Sequence, residues 1–382
     1  MKNPPIYEHL LNELVQVYER GTEPSGRIFH VPTSEYTDPA RFEQELRLLR
    51  SLPVAIAHVS QLASAGACLV HDALGVPILV VRDRGGDLHA MLNVCRHRGT
   101  RLVEKPGFTQ VRKGFHCVYH GWQYDLGGCL TNVPREELFP SLDKSELRLT
   151  ALPVAERFGF VWVVATPGEA YDFDAFLDPL KPDLEPLGLG SHVVFRRGTT
   201  TARTNWKIVM EAFLDGYHVR HLHKNTVGPY FQGHQSYSEA AGPHVRAIVG
   251  RGGFREAIVH DAIDDIREVA TPTYVFFPST IFVAQPGFVS RATAYPMGID
   301  SIYWEHDLII PEAPRDEKVR AHWELNYELI QNGVFKGEDL WVCEQIQSGL
   351  GSGANERFTY GIEEKPIEWF HAELDRRIET MS

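Results

Sequence analysis

Residues 205–223 read NWKIVMEAFLDGYHVRHLH, a short run that holds Glu211, Asp215, His218, His221 and His223. Up to Gly216 the pattern is that of one amphipathic helix. Glu211, Asp215 and His218 stand at i, i+4 and i+7 and therefore share a face. Met210, Phe213, Leu214 and Tyr217 supply apolar bulk beside it. His223 lies too far along to join that face, since five residues of straight helix turn two imidazoles apart by roughly 140°. The two can meet on one metal only if the helix bends or ends, and Gly216 eases such a departure.

Two neutral imidazoles and one carboxylate form the facial triad that binds non-haem Fe(II) and leaves positions open for dioxygen and substrate. A helix whose histidines are merely satisfied in a core is the competing reading. A second constellation upstream weighs against it: Cys95-Arg96-His97-Arg98-Gly99, then Cys117-Val118-Tyr119-His120-Gly121-Trp122. Each loop offers one Cys and one His. Structural zinc sites usually pair their cysteines in one turn and their histidines in another. The mixed C-x-H and C-x2-H pairing suits a Rieske [2Fe–2S] centre, in which two cysteines bind one iron and two histidines the other. Gly99, Gly121, Gly127 and Gly128 permit tight turns near the cluster.

The chain has 382 residues, which favours two domains, and its 43% hydrophobic and 23% charged content is that of an ordinary soluble protein. A net charge of −12 argues against nucleic acid or an anionic membrane as partner. No apolar run is long enough to span a bilayer, and the N-terminus lacks a signal-peptide pattern, so a cytoplasmic protein is expected. There the five cysteines are ligands or buried thiols rather than disulfides. Cys129 and Cys343 read as buried thiols, and Cys68 has no partner pattern.

The first helix carries Leu10, Leu11, Leu14 and Val15 at helical spacing. Residues 25–39 read as loop, and Asp38-Pro39-Ala40 opens a second helix. From Pro53 to Pro167 short β-rich pieces alternate with Gly, Asp and Asn, as in a small antiparallel domain, with 82–87 a hairpin turn. Residues 225–270 show no clear period and read as a lid loop or a plain surface excursion. Three strand signals follow from Thr271, then a helix over 312–335 and another through GEDLWVCEQIQSGL, which aligns Asp339, Cys343 and Ile346 on one face. The fold class is α+β: domains are expected at 1–49 (a helical segment packed on the catalytic domain), 50–167 (all-β, Rieske-type) and 168–382 (catalytic).

With CRHRG, CVYHGWQYDLGG, NWK and E-x3-D-x2-H-x4-H on the page, the chain resembles the α subunit of Rieske non-haem iron oxygenases over nearly its whole length. Within that family it is similar to the branch of choline, glycine-betaine and carnitine oxygenases and many ring-hydroxylating relatives. Ala212 departs from the Asn often found after the Glu in that branch. The resemblance implies a helix-grip catalytic fold with antiparallel sheet. It implies cluster ligands Cys95, His97, Cys117 and His120, and mononuclear Fe(II) ligands His218 and His223. The late pattern Glu338-Asp339 with Glu344 and Gln347 implies Asp339 as third ligand, with Glu338 the adjacent alternative. Glu211 is a possible support. Asp215 is either the carboxylate that orients His218 or, as the family implies, also a bridge to His120 of a neighbouring subunit in a homotrimer.

The implied reaction is O2-dependent hydroxylation of a small, aromatic or otherwise apolar substrate. No G-x-G-x-x-G follows a strand signal, so electrons are expected from a separate NAD(P)H-dependent reductase or ferredoxin. Two alternatives stand beside it. One is hydroxylation or demethylation of a methylammonium compound caged by Tyr217, Tyr230, Phe231, Phe276, Phe277, Phe282 or Trp304. The other is a Rieske-type electron carrier or zinc-stabilised binding protein.

Overall fold

The computed structural model describes residues 5–21, 26–168, 170–254 and 265–381. They form two compact units, Leu49–Phe173 on the one hand and Met1–Leu48 with Asp174–Ser382 on the other.

The smaller unit is built of short antiparallel strands. Five pair in the order Ala151–Leu152, Leu88–Leu92, Ile78–Arg82, Ala67–His71, Gly107–Gln110. Ile78–Arg82 and Leu88–Leu92 join through the expected hairpin turn, closed by Asp83 N–H to Asp87 O at 2.9 Å. A smaller sheet of Phe115–His116, Gln123–Tyr124 and Leu130–Asn132 carries the second Cys/His loop at its first turn. Val70, Leu79, Val81, Met91, Trp122 and Tyr124 pack between these sheets and bury Cys95 and Cys117 with them. Cys68 is buried in the same core, whereas Cys129, expected to be buried, is exposed at the turn before Leu130–Asn132.

The larger unit centres on a seven-stranded antiparallel sheet. Its order is Val193–Ala202, Ser301–Ile310, Phe288–Gly298, Thr280–Gln285, Ala270–Phe276, His244–Arg251, Phe231–Ala241. Four strands thus arise where three signals were read, because the first stretch folds back between Phe276 and Thr280. The last two strands overturn the loop reading of 225–270; the rest of that stretch, 255–264, lies outside the described residues. Helix Trp206–Leu214 lies against the sheet, and the terminal helix Lys365–Met381 buries Ile367, Phe370, Leu374 and Ile378. The first helix, Pro5–Arg20, buries Leu10, Leu11 and Leu14 as expected, but Val17 rather than Val15.

Two further expectations change. Within 25–39, Phe29–Pro32 is a strand paired with Arg357–Tyr360, and Ser34–Thr37 a single helical turn. The late helix starts at Glu317 rather than 312. From Glu328 to Asp339 it widens to π-helical turns and then runs without a gap into Leu340–Leu350. So long a π segment is rare and commonly marks a functional site. Here it ends on Asp339.

Candidate active site

The NWK triplet anchors the iron-helix candidate. Asn205 caps Trp206–Leu214 by accepting from Lys207 N at 2.9 Å, and its amide donates to the carbonyls of Tyr36 and Ile299. Trp206 Nε1 and Lys207 Nζ both reach the carboxylate of Glu45, at 3.0 and 2.6 Å, in a fully buried cluster. Removing Glu45 would leave the Lys207 charge unpaired in the core, whereas Arg41 also pairs with Glu45, at 3.0 Å. Glu344 accepts from Arg203 N and Gln347 from Asn205 N, each at 2.8 Å. These bonds tie Leu340–Leu350, and with it Asp339, to the start of Trp206–Leu214.

The helix ends at Leu214. Asp215 is its C-cap with extended backbone, and one turn, Val219–Leu222, separates His218 from His223. The face that was to join Glu211, Asp215 and His218 therefore does not exist. Glu211 sits in a buried network away from the imidazoles, accepting from Tyr36 at 2.6 Å, Tyr360 at 2.8 Å and His371 at 2.8 Å. Gly216 has a further role besides freeing the chain: a Cβ there would meet Ser236 Oγ at 2.8 Å.

His218, His223 and Asp339 each aim one ligand atom at a common point, all within 4.8 Å of one another. His223 Nε2 is 3.1 Å and His218 Nε2 3.7 Å from Asp339 Oδ1. The opposite ring nitrogens are held by carboxylates: His218 Nδ1 by Asp215 at 3.2 Å and His223 Nδ1 by Glu338 at 2.7 Å. Thr226 Oγ1 donates to the same Glu338 oxygen at 2.6 Å. This arrangement turns both Nε2 atoms toward Asp339. Burial works against charge on His218, but Asp215 and Asp339 outweigh it and raise its pKa above the ordinary imidazole value. His223 is raised in the same way, by Asp339 and Glu338 against burial. Asp339 Oδ1 is buried without a hydrogen bond. A buried carboxylate oxygen facing two imidazole nitrogens at 3.1 and 3.7 Å is the donor set of a cation.

The cavity beside these three residues measures about 120 Å³. Phe213, Leu214, Val227, Ile330, Val334 and Phe335 are among its apolar lining, and Ser236, Ser238, Thr271, Thr273 and Ser290 dot it with hydroxyls. Of the seven aromatic residues named for a cation cage, only Phe231 lines it. Tyr217 and Tyr230 are exposed, and Phe276, Phe277, Phe282 and Trp304 are buried in the core. A second cavity, about 510 Å³, shares His218 and Asp215 as lining and is lined also by Glu211, Ile346 and Tyr360.

In the smaller unit the other constellation also converges. The His97 and His120 rings lie 4.6 Å apart, and His97 stacks on Trp122 at 4.7 Å. Gly121, at φ +74°, lets the second loop close with its N–H on Cys117 O at 3.0 Å. Cys95 Sγ is 3.4 Å from the Tyr124 hydroxyl. Burial lowers the His97 pKa, helped by His120 and Arg98, so the ring is neutral. Its Nδ1 is buried without a partner. Burial pushes the Cys95 thiol up, so a thiolate there needs adjacent positive charge, which iron supplies. Two free buried cysteines and a neutral imidazole with an unused nitrogen fit a Rieske cluster.

Sequence reasoning missed Glu338 as the residue that orients His223; its position beside Asp339 in an acidic turn gave no separate signal.

Comparison with known proteins agrees. Residues 189–380 match the family described as ring hydroxylating alpha subunit (catalytic domain), and residues 53–143 match the Rieske [2Fe-2S] domain. The chain is 27% identical to the chloroplastic choline monooxygenase of Arabidopsis thaliana, over 93% of this chain and 84% of that one. It is 34% identical to the biphenyl 2,3-dioxygenase subunit alpha of Rhodococcus jostii, over 48% of this chain and 41% of that one. Its fold is similar to the crystal structure of the quaternary ammonium Rieske monooxygenase CntA, with TM-score 0.80 at 21% identity, covering 93% and 96% of the two chains. With the catalytic-domain match spanning half of its length and a Rieske domain ahead of it, this chain belongs to the ring-hydroxylating α-subunit family and is the terminal oxygenase component of a Rieske non-haem iron oxygenase, with a [2Fe–2S] cluster and a mononuclear iron.

Proposed function

We propose that Cys95, His97, Cys117 and His120 hold the cluster, that His218, His223 and Asp339 hold the iron, and that the substrate is a small, mainly apolar aromatic compound. When bound, the cluster supplies single electrons and the iron binds and activates dioxygen. The residues do the rest. Asp215 and Glu338 keep the two imidazoles in one tautomer. The wall from Phe213 to Phe335 excludes water and receives the apolar body of the substrate.

The apolar character of the cavity carries this reading. A methylammonium substrate is favoured by the likeness to choline monooxygenase. That cation would need an aromatic cage or a carboxylate. Among the described residues the cavity offers no Tyr or Trp, and its carboxylates, Asp215 and Asp339, already serve the imidazoles.

Asp215 is further proposed as the bridge to His120 of a neighbouring copy in a homotrimer of cytoplasmic protein, fed by a separate reductase or ferredoxin. Support comes from two apolar surfaces. Val118 and Tyr119, beside His120, are 80% and 54% exposed, and Trp341, two residues after Asp339, is 52% exposed. No helix of the described residues is long and apolar enough to cross a membrane.

The test is turnover under 18O2 with an NAD(P)H-dependent donor, comparing indole, naphthalene and benzoate with choline, carnitine and γ-butyrobetaine. Label in an aromatic product is expected. Label, or aldehyde from demethylation, with the trimethylammonium compounds alone would replace this reading by the amine one.

A further inference from the structure

Next to the cavity lining stands a cation for which the reading above has no use: on strand His244–Arg251, Ala247 and Val249 line the cavity, and Arg251 follows them on the same face of the sheet. Arg251 ends strand His244–Arg251 opposite Phe231. Its Nη1 donates to Gln285 Oε1 at 2.9 Å and to Thr271 Oγ1 at 3.2 Å, and its guanidinium carbon lies 5.8 Å from the Phe231 ring centre. Phe231, Thr271 and Gln285 all line the cavity. The guanidinium is thus tied by two neutral acceptors to residues of the cavity lining.

Its surroundings differ from those of every other described arginine of this unit that is at least partly buried. Arg41, Arg197, Arg246, Arg267, Arg291 and Arg377 each pair with a carboxylate. Arg251 pairs with no carboxylate among the described residues, and burial lowers its pKa against a smaller opposing effect of Tyr230. Its hydrogen bonds among the described residues both leave from Nη1, so among them the Nε and Nη2 edge, the edge that grips a carboxylate with two parallel bonds, is not engaged.

We infer that Arg251 anchors a carboxylate on the substrate, which therefore combines an apolar body with one anionic group. Resting on the substrate reading above, this narrows it to aromatic or otherwise apolar monocarboxylates. Phe231 packs under the guanidinium, while Thr271 and Gln285 fix its plane. A neutral substrate would leave this charge to water.

The test uses holoenzyme under anaerobic conditions and equilibrium dialysis of matched pairs: benzoate with benzamide, phenylacetate with phenylacetamide, indole-3-acetate with indole-3-acetamide. For at least one pair the acid is expected to bind about 10- to 100-fold more tightly than the amide, the usual range for a charge-assisted pair. Arg251→Gln should bring that ratio near unity with the visible spectrum of the cluster unchanged, and Arg251→Lys should keep part of it. Equal binding of acid and amide in all three pairs by the unaltered enzyme would overturn the inference, whether or not the variants fold. So would an acid preference that survives in Arg251→Gln. Labelled products from the amides, with the acids ignored, would remove the anion anchor and leave the oxygenase reading standing. Tight acid binding with no labelled product from any aromatic would do the reverse.

Discussion

The two candidate metal centres use the same imidazole in opposite electrostatic settings. His97 sits among Trp122, His120 and Arg98, with burial lowering its pKa. His223 is buried and His218 half-buried, yet Asp215, Glu338 and Asp339 raise theirs. A cluster that shuttles electrons is served by neutral nitrogen ligands, which keep its potential high. A single Fe(II) needs anionic charge to hold it and oriented rings to leave one face open. The setting, more than the ligand type, separates the two sites.

The largest effects come from breaking either site alone. Cys95→Ser should remove the visible absorbance of the cluster and abolish turnover while the other site still takes up Fe(II). His218→Ala should abolish turnover and leave the cluster spectrum intact. Loss of both signals in either variant would mean that the two settings are not independent.

Next come the carboxylates that orient the rings. Glu338→Gln removes the charge on His223 Nδ1, and Asp215→Asn that on His218 Nδ1. Each is expected to weaken Fe(II) binding or activity by about 10- to 100-fold, measured by anaerobic iron titration. If Asp215 also bridges copies, Asp215→Asn should lose far more turnover than iron affinity. Co-expressed Cys95→Ser and His223→Ala chains should then recover part of the activity in mixed trimers; none in confirmed mixed assemblies would reduce Asp215 to an orienting residue.

Acid should sharpen the contrast. His244 and His306 of the larger unit are buried, and burial lowers each to about 4. Because the unfolded chain takes up these protons near pH 6.5, stability falls between about pH 6.5 and 4, by about 3 kcal/mol for each histidine. Unfolding monitored by tryptophan fluorescence should show this, and His306→Gln should flatten part of the slope. The smallest effect belongs to Gly216→Ala, whose methyl would press on Ser236; a loss of about 1 to 3 kcal/mol is expected in thermal melts.

What could be read without coordinates was what is local in the chain. Cys95 with His97, and Cys117 with His120, each share one loop, and His218 and His223 one turn. Asp339 was reachable only through family resemblance, because distance along the chain hides a third ligand. The π-helical turns that deliver it leave no hydrophobic signature. The strands at 231–241 and 244–251 escaped for a related reason: Ser236 and Ser238 face the cavity, so the inward positions are small and polar and the apolar alternation is blurred. Glu211 was misplaced because a helical face was extended past Leu214, where the helix stops.

Iron and sulfide counting on unaltered protein and on Asp339→Ala, with electron paramagnetic resonance of the reduced cluster, tests the assignment of the two sites most directly. The account predicts about three irons and two sulfides per chain in the first, and about two irons and two sulfides with the same cluster resonance in the second. An Asp339→Ala protein that keeps its third iron, while Glu338→Ala loses it, would contradict the ligand set drawn here.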